Sequence, residues 1–245
     1  MNPHPNSDRL VAYMGLNGLY GFVDASGNLV IPHKYRHAFD FSEGLAAVMD
    51  KNNRYGYINA KDETVIPFKY NFAHSFSERL AAVADENDLY GYINAKGETV
   101  IPHQYRNGLS FHEGLAAVRN ENYRYGCINA KGKTIIPHRY LNVRSFHEGI
   151  AIAVRKATDK SVLFLDPSGK ALPLGDYPYA SDCRNGTIAV KKDGRFGIID
   201  KRGNVIIDFI YDDALPFDNN GIASVRLNRI EFEITRDGEE YIRDL

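Results

Sequence analysis

The chain has 245 residues, 44% of them hydrophobic and 12% aromatic, enough to bury a sizeable core. Thirty Lys and Arg against 31 Asp and Glu leave a formal charge of −1, so nothing global favours nucleic acid or an acidic membrane surface as a partner. No stretch approaches the roughly 20 apolar residues of a membrane span, and the N-terminal MNPHPNSDRL has no basic region followed by an apolar run; a cytoplasmic protein is expected.

From the N-terminus, Leu10-Val-Ala-Tyr-Met14 opens a pattern that returns at Leu45, Leu80, Leu115 and Ile150, each 35 residues after the last. The best-kept copy is Asn87 to Val118. Its Leu89-Tyr-Gly-Tyr-Ile-Asn94 alternates bulky with small or polar side chains, and Thr99-Val-Ile-Pro102 is β-branched until its proline, so both are expected as strands, the second ending at the proline. Asn94-Ala-Lys-Gly97 between them is a hairpin loop in which Asn opens a turn through its side chain and Gly takes the left-handed position. The opening residue is Asp24, Asn59, Asn94, Asn129, Asp166, Asp200 and Thr235; the closing glycine is Gly27, Gly97, Gly132, Gly169, Gly203 and Gly238, with Asp62 once. A third strand is Leu115-Ala-Ala-Val118, whose alanines suggest crowded backbones. The linker before it carries Tyr and Phe at fixed offsets, Tyr35/Phe41, Tyr70/Phe76, Tyr105/Phe111, Tyr140/Phe146 and Tyr211/Phe217, rings that a small repeat uses to bury area against its neighbours.

Seven such periods fill the chain, which reads as one repeat domain over 1–245, regular over 10–149 and divergent over 150–245. In the fifth copy Val162-Leu163 replaces Tyr-Gly after a lengthened loop at Lys156 to Ser161; in the seventh, Glu231-Phe232 does so, and the tail runs from Arg229 to Leu245. Strands predominate and no long stretch has helical periodicity, so the fold class is all-β. Two closures are open: a seven-bladed β-propeller, favoured by the whole number of copies and the alanine-rich strand, or an open β-solenoid.

Gly-Tyr-Ile-Asn-Ala-Lys-Gly-Glu-Thr-Val-Ile-Pro and Phe-His-Glu-Gly-Leu-Ala-Ala-Val resemble the bacterial WG-repeat family. The resemblance is strong from Leu10 to Tyr140 and weak after Gly149. The tryptophan of that motif is replaced by Tyr20, Tyr55, Tyr90, Tyr125 and Phe196, and the chain has no Trp. The resemblance implies a β-rich binding scaffold and no particular activity.

Several residue sets invite a sharper reading. His33, His103 and His138 follow the strand proline at equivalent points, with Phe68 in the second copy; no Cys, Asp or Glu follows at ligand spacing, so packing is expected rather than a metal. Glu43, Glu78, Glu113 and Glu148 recur, but catalysis needs unlike environments for its acid and base, so a turn role is expected. Arg9 and Arg79 stand where Gly44, Gly114, Gly149 and Gly186 stand elsewhere; Arg there is strained if φ is positive, and marks a possible contact face. Cys127 and Cys183 are expected as buried free thiols, which favours a reducing compartment. No nucleophile, base and orienting group cluster outside the repeat, and neither a phosphate-cradling glycine loop nor a zinc-protease motif is present. The expectation is a non-enzymatic scaffold without cofactor or metal, binding another protein as a regulator or as a partner that neutralises a toxin or enzyme; a glycan is the alternative ligand. Recognition residues of repeat proteins lie where copies are free to vary, so Tyr177, Tyr179, Arg184 and Arg195 of the divergent half are the expected anchors, with Arg79 in the regular half.

Overall fold

A computed structural model describes residues 10–241, and every regular element within them is a β-strand. Seven antiparallel sheets follow one another along the chain, strands side by side in sequence order. The first holds Val11–Met14, Tyr20–Val23 and Leu29–Tyr35. The second holds His37–Ala38, Ala46–Met49, Tyr55–Ile58 and Thr64–Tyr70, and the third and fourth repeat it from Phe72–Ala73 and Asn107–Gly108. The fifth is reduced: Asn142–Val143, Ala151–Val154, Leu163–Leu165 and Ala171–Leu172. The sixth runs from Tyr179–Ala180 to Val205–Tyr211, and the seventh holds Asp213–Ala214, Ala223–Leu227 and Ile230–Ile234. Contacts divide the chain within the fourth sheet into two compact parts, one running to Tyr123 with Cys127–Thr134, the other made of Arg124–Gly126 and the residues from Ile135 onward.

The sequence shows three clear strands per copy, in units of three or four; the full sheets have four. The additional strand is two residues long, begins two residues after the linker tyrosine, and ends on a buried small side chain: Ala38, Ala73, Gly108, Val143, Ala180 or Ala214. Two residues are too few for an alternation to show. Nor does the proline end its strand. Tyr55 pairs with Tyr70 and Tyr57 with Ile66, so Gly56 alone faces Pro67, Phe68 and Lys69 in a bulge, and the strand continues to Tyr70. The first, third and sixth sheets show the same offset. Proline is tolerated because its missing N–H falls where the ladder is interrupted.

That bulge explains the aromatic-Gly pair. A Cβ on Gly56 would lie 2.7 Å from the Ile66 carbonyl oxygen, one on Gly91 2.7 Å from that of Ile101, and one on Gly197 2.6 Å from that of Ile207. The glycine is there for close backbone approach, not for a left-handed conformation. The hairpin loops behave as their residues dictate. Asn94 Oδ1 accepts from the N–H of Lys96 and of Glu98, both near 3.0 Å, and Gly97 closes the turn at φ 79°. Asp62, the one non-glycine at the closing position, has φ 64°, and its carboxylate accepts from Tyr35 Oη at 2.6 Å and from Lys34 Nζ of the preceding sheet.

The core lies between successive sheets. Ala47 of the second and Ala81 of the third are fully buried with Tyr57, Phe76 and Ile93 in one cluster; Ile188 and Phe164 mark the corresponding cluster between the fifth and sixth. Tyr57 meets Phe76 at 4.9 Å and Tyr92 meets Phe111 edge-on at 4.9 Å, and the buried hydroxyls of Tyr57 and Tyr92 donate to the carbonyls of His74 and Leu109 at 2.7 and 2.8 Å. The alanines are small because rings from both sides need the space.

Replacing Gly91 by Ala therefore forces the bulged strand away from its neighbour. The expected cost is about 1–3 kcal/mol, the usual scale of overpacking, read as a lower urea midpoint than wild type. Gly114→Ala, at a turn where nothing lies within 4 Å of the added carbon, should cost only the left-handed strain, on the order of 1 kcal/mol.

Candidate interaction surface

Local turn chemistry places the recurring glutamates and Arg79. Glu43 and Gly44, with φ 52° and 83°, occupy the two central positions of a tight turn closed by reciprocal Ser42–Leu45 backbone bonds of 2.9 and 3.1 Å. Glu78 and Arg79 do the same at φ 53° and 69°, and Asn185 and Gly186 at 50° and 72°. Two left-handed residues in succession suit Asn-Gly far better than Glu-Arg. The compensation comes from the next copy. Glu43 accepts from the backbone N–H of Arg79 at 3.0 Å, Glu78 from that of Gly114 at 2.9 Å, and Glu148 from that of Gly186 at 2.8 Å. Ser42 and Ser77 hydroxyls likewise donate to the carbonyls of Phe76 and Phe111 at 2.7 and 2.6 Å. Burial alone would raise the Glu148 carboxyl, but the donors Gly186, Asn185 and Cys183, together with the charge of Lys201, outweigh it and hold its pKa below the ordinary value. The carboxylates thus tie turn to turn. Arg9 lies outside the described residues.

The histidines of the bulge pack as rings. Phe68 stacks on Tyr35 of the preceding sheet at 6.4 Å, His103 on Tyr70 at 6.3 Å and Phe209 on Tyr177 at 5.9 Å. His33 and His103 also turn Nε2 into the protein without a hydrogen-bond partner. Among the described residues no three His, Cys, Asp or Glu side chains gather as metal ligands would. Both cysteines are buried free thiols, and burial pushes the Cys127 thiol up to about 12.

The expected anchors separate. Tyr177 is only 7% exposed and belongs to a core cluster: it is the linker tyrosine of its copy, two residues before the short strand like Tyr35 and Tyr70, with Cys183 standing where Phe41 and Phe76 stand. It therefore cannot serve as a surface anchor. Arg195 is exposed but bonds Asp212, as Arg54 bonds Asn71 at the equivalent positions of the second copy, so it too is framework. Arg184 is exposed at the turn that Thr187 closes. Tyr179, 41% exposed, sits on the neighbouring short strand opposite Lys191, at the far end of the strand Thr187–Lys192 that starts at this turn, four residues or roughly 13 Å away. Arg79 is exposed on its turn in the first part of the chain.

Tyr179 gathers a cluster that sequence spacing did not reveal. The Arg144 guanidinium lies over its ring at 5.8 Å, with Nη1 donating to the Ala180 carbonyl at 3.0 Å. Phe196 meets the ring edge-on at 5.5 Å and carries Lys191 over its own face at 5.1 Å. In the first part of the chain the positions of Arg144, Tyr179 and Phe196 are held by rings packed on rings: Phe39, Phe72 and Tyr90 are linked at 6.2 and 6.3 Å. Arg144 thus puts a cation where Phe39 has a ring.

The pattern of the WG containing repeat matches residues 20–55, 55–87, 90–123, 125–156 and 196–229. The chain belongs to the WG-repeat family. The last match begins in the third strand of the sixth sheet, and 157–195, with the first two strands of that sheet, are unmatched. No curated protein matches the sequence. Among solved structures, the computationally designed Ika8 protein is similar at a TM-score of 0.57 and 10% identity, covering 96% of this chain and 84% of that one. BamB from Moraxella catarrhalis is similar at 0.52 and 14%, covering 94% and 77%, and Kluyveromyces lactis Hsv2 at 0.53 and 9%, covering 89% and 87%. These are β-propellers, and the likeness shows the fold class: all-β, built of seven antiparallel sheets.

Three half-buried histidines are expected to make this WG-repeat protein sensitive to acid. Burial lowers the pKa of His74, His103 and His138, with Lys69 also lowering His103 against the pull of Asp85. The unfolded chain takes up these protons near the ordinary value of 6.5, while the folded chain resists them. Their contribution is therefore fully present above that pH and is lost as pH falls below it. The urea midpoint should drop on going from about pH 7.5 to about pH 5.5, and His74→Phe should reduce the drop. An unchanged midpoint in wild type would contradict the burial argument.

Proposed function

We propose that the chain is a non-enzymatic, cytoplasmic protein-binding scaffold, a bacterial regulator or a partner that neutralises a toxin or enzyme, whose contact surface is centred on Tyr179. The observation that carries the reading is the Arg144, Tyr179, Phe196 and Lys191 cluster: a half-exposed tyrosine held in place by a cation on one face and a ring at its edge. Aromatic and arginine side chains on rigid supports dominate binding energy at protein interfaces, because little rotamer freedom is lost on contact. The surrounding repeat supplies that rigidity through its turn-to-turn bonds. The sixth sheet keeps the bulge of the regular copies, whereas the residues around Tyr179 depart from them. Framework positions are constrained by packing; departures are where a partner can be selected.

Affinity capture tests the reading, with the wild type as bait beside a Tyr179→Ala, Arg144→Ala double variant. The expected outcome is a specific protein recovered by the wild type and lost by the variant, corresponding to at least about 2 kcal/mol at a hot spot. Recovery undiminished in the variant would move the surface elsewhere, with Arg79 the next candidate. Saturable sugar binding on a glycan array, abolished by the same variant, would replace the protein partner by a carbohydrate.

A further inference from the structure

The hairpin after the alanine-rich strand recurs as strictly as the tight turns do, and in the fourth copy its closing residue does not suit its backbone. Gly18, Asn53, Asp88 and Tyr123 stand 35 residues apart, at φ 73°, 62°, 58° and 57°. Each closes its loop by donating its N–H to the carbonyl three residues back, that of Gly15, Asp50, Asp85 or Asn120. Glycine, Asn and Asp visit this left-handed region readily; a tyrosine there is an outlier, held by the fold against its own preference. In the second and third copies the closing residue is also tied by its side chain. Arg36 Nη1 donates to Asn53 Oδ1 at 2.8 Å, and Asn71 Nδ2 to Asp88 Oδ1 at 2.7 Å. The residue at that place in the fourth copy is Arg106, whose backbone N–H donates to the Arg119 carbonyl at 2.7 Å as that of Arg36 donates to Met49. Its side chain is exposed and makes no hydrogen bond or ion pair among the described residues. Tyr123 is 61% exposed, with the Arg119 guanidinium over its ring at 5.3 Å.

The fourth copy has given up a framework bond and taken on backbone strain, and what it gains is an exposed ring beside guanidinium groups. Packing explains neither change, because the ring is not buried. Strain kept at an exposed residue points to recognition. We propose that Tyr123, Arg106 and Arg119 form a contact site for a short acidic segment of a partner protein. A carboxylate of that segment pairs with the planar fork of Arg106, and an adjacent apolar side chain lies on the exposed part of the Tyr123 ring, which Arg119 steadies. Exposed tyrosine with arginine is also the combination found at Tyr179. Glu121 is the one carboxylate of the hairpin loop, whereas the same loop of the third copy carries Asp85, Glu86 and Asp88. A long polyanion crossing both loops is repelled at the third copy, so a short protein segment is favoured over nucleic acid. The inference rests on the scaffold reading above and gives it a second contact, in the regular half, with a stated chemistry.

The test titrates the isotope-labelled full chain under nuclear magnetic resonance. The probe is the acetylated, amidated peptide Glu-Phe-Asp-Glu, with Gln-Phe-Asn-Gln and inorganic phosphate at matched ionic strength as controls. Saturable shifts at the amides of Arg106, Glu121 and Tyr123 are expected with the acidic peptide and with neither control. Arg106→Gln should weaken the peptide about threefold or more, the scale of an exposed charge pair. Tyr123→Asn should abolish the shifts and yet stabilise the chain. It relieves the strain and restores, with Arg106, the bond that Arg36 makes to Asn53, so the thermal midpoint should rise by about 2 °C or more. Shifts that are absent, shared by the neutral peptide or by phosphate, or retained in Tyr123→Asn overturn the site. So does a thermal midpoint that Tyr123→Asn leaves unchanged or lowers, because the tyrosine would then be serving the fold. Capture with the Tyr179→Ala, Arg144→Ala variant judges the scaffold reading separately: a partner lost with that variant, while the acidic peptide leaves Tyr123 unmoved, keeps the scaffold and removes this site.

Discussion

The close approach of two backbones at the aromatic-Gly pair is the constraint on which the regular copies depend. With no Cβ at Gly56, Gly91 or Gly197, the third strand can lie under a three-residue bulge of the fourth. The bulge carries the proline that an uninterrupted ladder would reject and turns the following residue sideways, so that its ring stacks on the tyrosine of the preceding sheet. One glycine thus couples pairing within a sheet to packing between sheets. The fifth copy shows the converse. Once Leu163 fills the glycine position, the fourth strand shrinks to two residues and the ring is gone.

A second set of ties runs through the tight turns. Glutamate in a left-handed conformation is a poor local choice, and Arg79 beside Glu78 a worse one. Their retention becomes intelligible when each carboxylate is seen accepting the backbone N–H of the next turn. Local strain on the order of 1 kcal/mol per residue is offset by a charge-assisted hydrogen bond to the next copy. The serines donating to the following copy's carbonyls work in the same direction. A framework braced in this way can tolerate change at positions outside it, and the cation-covered Tyr179 is such a change.

The distinction between framework and departure also decides which residues can carry function. Tyr177 and Arg195 lie in the divergent half yet perform the same packing and bonding as their counterparts in the regular half. Tyr179 replaces a position that holds His37 or Phe72 elsewhere, and its surroundings have changed with it. Divergence of a stretch is therefore a weaker guide than divergence of a position within the repeat.

Much of this was legible in the sequence. The period, the Asx-to-Gly hairpins, the alanine strand under aromatic rings and the turn role of the glutamates are local or strictly recurrent, and local chemistry repeated seven times leaves little freedom; the all-β class followed from them. The two-residue strand was not legible, because an alternation needs more than two positions, and the continuation past proline was not, because a bulge is defined by the strand opposite. Neither was the fate of the candidate anchors. Whether Tyr177 points inward and Tyr179 outward depends on a copy-by-copy alignment that the insertion at Lys156 to Ser161 obscures, and whether a cation covers a ring depends on residues such as Arg144 and Tyr179 brought together from different sheets. The sequence by itself determined the repeat and its turns, since these are settled by neighbours along the chain; tertiary structure decided the bulge, which depends on the strand opposite, and the bonds between turns and the surface, whose partners lie a whole copy away.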